Sequence, residues 1–174
     1  MFPIFETERL VLRELVEEDA QDILNCFSND DVLRYYGQKP LTSIEQVKQI
    51  IRNFSRNFEE KSGVKWGIEL KEIGTIIGTI GFQEWSLEHK RANISYALFP
   101  EKWGKGYASE AVEKVISYGF QELGLERIGA VVFVDNNASN QLLIKFGFTK
   151  EGTLKNYMYQ NDKPYDTNIY SLLK

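Results

Sequence analysis

A chain of 174 residues is long enough for one domain with a sizeable buried core, and its 43% hydrophobic and 26% charged residues suit an ordinary globular protein. With 25 acidic and 21 basic side chains the formal charge is -4, which disfavours broad binding to nucleic acid or to an anionic membrane surface. A single cysteine, Cys26, and a single histidine, His89, exclude an intrachain disulfide and leave no metal site of the common zinc type.

The first residues lack a charged-then-apolar signal pattern and no apolar run approaches membrane-spanning length, so a cytoplasmic location is expected. Nothing resembles a linker or a repeat, and one domain over 1–174 is expected. Leu10 to Leu15 predicts an opening strand. Glu18 to Phe27 predicts a short helix with Ile23, Leu24 and Phe27 on one face, broken by Asn29, Asp30 and Asp31. Thr42-Ser43-Ile44-Glu45 has the caps and early negative charge of a second helix. Val47, Ile50, Ile51, Phe54 and Phe58 continue its apolar stripe, and Gly63 closes the segment.

Lys65 to Leu70 and Thr75 to Gln83, with Gly74 between them, predict a hairpin. Ala92 to Phe99 alternates as a further strand. From Ala108 to Leu123 apolar residues recur at helical spacing, with Gly124 as terminator. Arg127 to Val134 is a strand, Ser139 to Phe146 a short helix ended by Gly147, and Phe148 to Tyr159 and Tyr165 to Leu173 are two strands joined through Asn161-Asp162. The order β-α-α-β-β-β-α-β-α-β-β predicts an α+β fold, a mixed sheet covered by helices, not strict βαβ alternation. The last strands offer an edge through which copies of the chain can pair.

The feature richest in chemistry is Trp103-Gly104-Lys105-Gly106-Tyr107-Ala108-Ser109-Glu110-Ala111, a glycine turn between a strand and a helix start. Such a turn presents unpaired N–H groups and the positive end of the helix dipole to an anion. Three readings compete: a bare tight turn, a nucleotide site, and a pyrophosphate cradle for coenzyme A. A dinucleotide site needs an acidic residue at the far end of the next strand, but Glu126 precedes that strand. A phosphate-loop motif needs Ser or Thr directly after Gly-Lys, and Gly106 stands there.

Four segments together resemble the GNAT acetyltransferase superfamily, and within it the ribosomal-protein N-terminal acetyltransferases. They are Thr7-Glu8-Arg9-Leu10-Val11-Leu12-Arg13, Ile77-Gly78-Thr79-Ile80-Gly81-Phe82, the glycine turn, and Asn136-Asn137-Ala138-Ser139 followed by Phe146-Gly147-Phe148 and Glu151-Gly152. The resemblance implies an acyl-CoA N-acyltransferase fold and an enzyme that moves an acetyl group from acetyl-CoA to a primary amine by direct transfer in a ternary complex. It implies that the backbone amides of Gly104, Lys105, Gly106, Ala108 and Ser109 hold the pyrophosphate, that Tyr107 belongs to the same cofactor site, and that Trp103 either walls the cofactor or simply packs. It also implies that the strand before the turn is splayed from its neighbour, often at a bulge, so that backbone groups of Leu98 and Phe99 meet the thioester and pantetheine arm. An oxyanion donor there is worth about 3 kcal/mol.

By the same resemblance Ser139 sits near the coenzyme sulfur and Asn136 contacts the cofactor or fixes a water, although capping alone also accounts for an asparagine at a helix start. The positions of the general base depart from the family pattern. Asn93 and Met158 stand where relatives often carry glutamate, so either another group acts as base through water, with Glu84 the candidate against a plain exposed-loop role, or the amine arrives neutral enough to need little help. The acceptor site is expected from aromatic residues: Tyr35, Tyr36, Tyr96, Tyr157 and Tyr159, suited to an amine through cation–π contact or to plain packing. The expected acceptor is a protein N-terminal α-amine. A small amine (polyamine, amino acid or aminoglycoside) and a non-catalytic acyl-CoA sensor remain open alternatives.

Overall fold

The computed structural model describes residues 1–174. It contains eight strands, β1 (Phe5–Glu6), β2 (Leu10–Arg13), β3 (Val64–Leu70), β4 (Thr75–Ser86), β5 (Arg91–Leu98), β6 (Arg127–Phe133), β7 (Thr149–Gln160) and β8 (Lys163–Leu173). Five α-helices accompany them, α1 (Ala20–Phe27), α2 (Asp30–Leu33), α3 (Ile44–Glu59), α4 (Tyr107–Gln121) and α5 (Asn137–Lys145). The strands form one sheet in the order β1-β2-β3-β4-β5-β6-β8-β7. Only β5 and β6 are parallel; every other neighbouring pair is antiparallel. The predicted element order is present, with β1 and α2 added.

Local chemistry explains the additions and the ends. Asn29 does not simply break α1. Its side-chain oxygen accepts from the N–H groups of Asp31 and Val32, which starts the four residues of α2. Ser43 caps α3 by accepting from Gln46 N–H. The left-handed residue that closes α3 is Lys61 (φ 55°), not Gly63. Asn161 and Asp162 both take positive φ, 51° and 59°, as a two-residue hairpin turn of this twist requires. Strand β4 runs past Gln83 to Ser86 because it bulges there against β5.

Each face of the sheet is covered. On one side Trp66, Phe82, Ile94 and Ile128 pack with Val112 and Val115 of α4. On the other, Ile76 and Ala97 pack with Ile23, Cys26 and Phe27 of α1 and Val47 and Ile51 of α3. Residues Ile76 to Phe82 of β4 are buried throughout, as expected of a central strand with both faces covered.

The sheet opens at one place. Strands β5 and β6 pair only through Arg91–Arg127, Ala92–Ile128 and Asn93–Gly129. Beyond Asn93, β5 stays on β4 up to Gly78–Leu98, while β6 stays on β8 up to Phe133–Thr167. A wedge therefore widens between β5 and β6 toward the start of α4. The expected splay is present, but β5 carries no bulge near Leu98; the register shifts between β3, β4 and β5 lie at Ile68/Glu69 and at Gln83/Ser86.

Candidate active site

At the wide end of the wedge the chain passes from β5 into the glycine turn and α4. Gly104 (φ 70°) and Gly106 (φ 82°) are both left-handed, a conformation that costs other residues roughly 1–2 kcal/mol. A Cβ on Gly104 would meet nothing within 4 Å, so the turn needs its backbone conformation and its openness, not packing space. Gly106 is the N-cap of α4 and has no side chain to cap it. The six consecutive N–H groups from Gly104 to Ser109 have no protein acceptor; the first helical bond is Glu110 N–H to Gly106 C=O. Six free donors at a helix start form a cradle for a phosphate-sized anion and fit the pyrophosphate of coenzyme A.

The turn is held from below by the opening strands. Glu110, in the first turn of α4, accepts from Thr7 Oγ1, from Arg9 N–H at 2.8 Å and from Arg9 Nε at 2.8 Å. Arg9 Nη1 donates to Lys105 C=O at 2.8 Å, and its guanidinium lies 4.5 Å from the centre of the Tyr107 ring. Partial burial works against the charge on Glu110, but the bonds from Thr7 and Arg9 outweigh it and hold the carboxyl below its ordinary value. The carbonyl of Lys105 is thus turned toward Arg9, which leaves the neighbouring N–H groups facing the cavity. Thr7 and Arg9 lie about 100 positions from Glu110 along the chain, so nothing local in the opening segment signals this task.

Two cavities meet inside the wedge. A turn cavity of about 500 Å³ is lined by Leu98, Trp103, Gly104, Gly106, Tyr107, Ala108 and Ser109 on one wall and by Asn136 to Ser139 and Leu142 on the other. A wedge cavity of about 450 Å³ reaches under α1 and α3, past Phe27, Phe54, Lys65, Gln83, Asn93, Ser95 and Met158. Tyr35, Tyr36, Tyr96, Asn136 and Ser139 line both. At this junction the Tyr96 hydroxyl donates to Ser139 Oγ at 3.0 Å. Burial pushes the Tyr96 and Tyr36 phenols up to about 12, so both stay protonated near neutral pH. Ser139, accepting from Tyr96, keeps its own O–H free to donate.

The expected residues divide by position. Phe99 N–H bonds to Ile77 C=O, so strand alternation turns the Leu98 N–H and C=O toward the wedge instead. The Leu98 carbonyl accepts from Trp103 Nε1 at 3.0 Å, which leaves the Leu98 N–H facing the gap. Phe99 and the Lys105 side chain line neither cavity. Asn136 Oδ1 caps α5 by accepting from Ser139 N–H at 3.3 Å, so the capping role is real and only its amide is left for a ligand. Tyr157 and Tyr159 are 57% and 63% exposed and line neither cavity; Met158 between them does. Alternation along β7 puts the methionine inward and its neighbours outward.

Glu84 is exposed on the β4 bulge and also lies outside both linings, but its carboxylate accepts from Asn93 Nδ2 at 2.8 Å. Cys26 is 1% exposed in α1, its thiol pushed up to about 12 by burial, and it touches neither cavity. Lys65 was missed. It lines the wedge cavity, donates to Ser95 Oγ at 2.7 Å, and burial lowers its ammonium to about 8.

No helix is long and apolar enough to cross a membrane. The family model for the acetyltransferase (GNAT) domain matches residues 9–149. The chain is 56% identical over 174 residues, 100% of its own length and 98% of the relative's, to the uncharacterised N-acetyltransferase YoaA of Bacillus subtilis. The ribosomal-protein-S5-alanine acetyltransferase structure from Vibrio fischeri superimposes with a TM-score of 0.87 at 26% identity, covering 98% of this chain and 96% of that one. The spermidine N-acetyltransferase structure from Vibrio cholerae, in complex with CoA and spermine, gives a TM-score of 0.85 at 24% identity and covers 96% of each chain. The glycine cradle, the wedge and these matches agree: the chain belongs to the GNAT acetyltransferase family, an N-acetyltransferase that uses acetyl-CoA.

Proposed function

We propose that the acceptor is a primary α-amine, most simply the N-terminus of a protein, which enters the wedge cavity and meets the acetyl group at Tyr96 and Ser139. The observation that carries this reading is the shared lining: one cavity ends at the phosphate cradle, the other is closed by α1 and α3, and the two join at the Tyr96–Ser139 bond. Acetyl-CoA supplies an activated thioester. Gly104 to Ser109 hold its pyrophosphate through their free N–H groups. The N–H of Leu98, turned into the gap, faces the negative charge that develops on the acyl oxygen.

As the amine nitrogen bonds to the acyl carbon, the carbon–sulfur bond breaks and the thiolate takes a proton from Ser139, which is replenished from Tyr96. The wedge cavity lining holds no Asp or Glu. That suits an α-amine, whose pKa near 8 leaves about a tenth neutral at pH 7, better than a lysine side chain or a polyamine. The proton it releases passes through water to Glu84, joined to the lining through Asn93. Transfer is direct in a ternary complex, since Cys26 is buried away from both cavities.

A small amine is the second reading. It is favoured by the volume of about 450 Å³, which suits one or two residues, and by the spermidine acetyltransferases among the relatives. Thiol release from acetyl-CoA, followed across N-terminal peptides, amino acids, aminoglycosides and spermidine, separates the readings. Turnover of spermidine in preference to every α-amine would overturn the first. Acetyl-CoA binding without thiol release from any amine would leave a sensor.

A further inference from the structure

We infer that Lys65 is an anion-binding group of the acceptor site, and that the amine acetylated here carries a carboxylate that pairs with it. This rests on the α-amine reading above, because it places the acceptor in the wedge cavity.

Lys65 lies on β3 opposite Gly81 of β4, and Gly81 lies opposite Ser95 of β5. A Cβ on Gly81 would come within 2.0 Å of Val64 C=O, so that position carries only hydrogen and the lysine crosses it to reach Ser95 Oγ at 2.7 Å. That is the only partner of its ammonium: no acidic side chain bonds it and no Asp or Glu lines the cavity. The surroundings are apolar on the helix side, Ile23, Phe27, Ile50 and Phe54, with Gln83, Asn93 and Ser95 on the sheet side.

A lysine kept only for solubility sends its ammonium to water, and a structural one has a carboxylate partner. Lys65 has neither arrangement. Its charge, already disfavoured by burial, is stabilised by any anion that enters. A polyamine would add positive charge beside it. Ser95 and Tyr96 are consecutive in β5 and both line the wedge cavity, so a single acceptor that fills it can meet Lys65 with one end and the Tyr96–Ser139 pair with the other. Two sources place a carboxylate close to a primary α-amine: the α-carboxylate of a free amino acid, and an acidic side chain next to a peptide N-terminus.

The test uses the full chain, acetyl-CoA and matched acceptors, with thiol release as the readout. L-Alanine is compared with L-alaninamide, and Ala-Asp-Ala-amide with Ala-Asn-Ala-amide. The wild type is expected to prefer one carboxylate member by about tenfold or more in kcat/KM, through KM, and the pair that shows it names the source. Lys65→Met is expected to bring that ratio to about one, and Lys65→Arg, which keeps the charge, to retain most of it. Ratios near one for both pairs in the wild type, or an unchanged ratio in folded Lys65→Met, overturn the inference while leaving the α-amine reading intact. Turnover of spermidine but of no α-amine overturns both.

Discussion

The Tyr96 hydroxyl donates to Ser139 Oγ at 3.0 Å, across the wedge between β5 and the start of α5. The bond sets the direction of proton flow within the pair, because Tyr96 donates its proton to the serine and leaves the serine O–H free to donate onward. Ser139→Ala is expected to lower kcat by about 10²-fold with little change in acetyl-CoA affinity. Tyr96→Phe should lose a similar factor, and the double variant little more, since the two act as a unit. A fall in acetyl-CoA affinity equal to the fall in kcat would make Ser139 a binding residue instead.

Gly106→Asp places a carboxylate and a strained φ of 82° at the mouth of the phosphate cradle. Its Cβ would stand 3.2 Å from Arg9 Nη2, the guanidinium nitrogen that bonds no acceptor and need move only a few tenths of an ångström, so the fold should survive. Calorimetry should find no acetyl-CoA binding, with a melting temperature lowered by only a few degrees. Unchanged affinity would remove the pyrophosphate from this turn.

Glu110→Gln weakens the clamp that joins Thr7 and Arg9 to α4. The turn then loses the group that orients Arg9 toward Lys105 C=O. The KM for acetyl-CoA is expected to rise about tenfold, equivalent to ~1.4 kcal/mol, with kcat retained. A loss confined to kcat would argue against a positioning role for this network.

Lys65 makes a stability prediction that is independent of its acceptor. Burial lowers it from 10.5 to about 8, so between those values the unfolded chain binds more protons and its contribution to stability rises with pH. Below about 8 the charge is present in both states and opposes folding. Lys65→Met should therefore be more stable than the wild type at pH 7, by on the order of 1 kcal/mol. That advantage should shrink as the pH approaches 10.5. Tyr35, Tyr36 and Tyr96 are the other titratable groups lining the cavity, and Glu84 reaches it only through Asn93. Denaturant titrations of both proteins at pH 7 and 10 measure the difference, and a constant gap would refute the assigned burial.

Gly81→Ala should be severe. The new methyl would overlap Val64 C=O at 2.0 Å, an atom fixed in the sheet ladder and unable to move aside. A loss of about 3 kcal/mol or more is expected, lowering the melting temperature by roughly 10 °C. A melting temperature within 2 °C of wild type, about 0.5 kcal/mol, would show that β3 and β4 separate more readily than their register implies.

Much of the fold was legible because its signals are local. Alternation in Ala92 to Phe99, helical spacing from Ala108 to Leu123, and the turn residues Gly74 and Asn161-Asp162 each report on neighbours a few residues away. The cradle was legible for the same reason: a turn and a helix start are built by consecutive residues, and their free N–H groups follow from position alone. The Asn136 to Ser139 segment likewise announced both its cap and its serine.

What the sequence could not determine were pairings over long separations. Glu84 meets Asn93 only because β4 bulges, and Arg9 meets Glu110 across 101 positions. Tyr157 and Tyr159 have the composition of an aromatic wall, yet the register of β7 turns them outward and Met158 inward. Lys65 sits between Val64 and Trp66 and has the alternation of a solvated strand face. Its face is covered by α1 and α3, so the same alternation delivers its ammonium into a cavity. Periodicity states which side chains share a face. Only the packing of helices on that face decides whether it meets water, and at Lys65 this turns a surface charge into a group able to select the substrate.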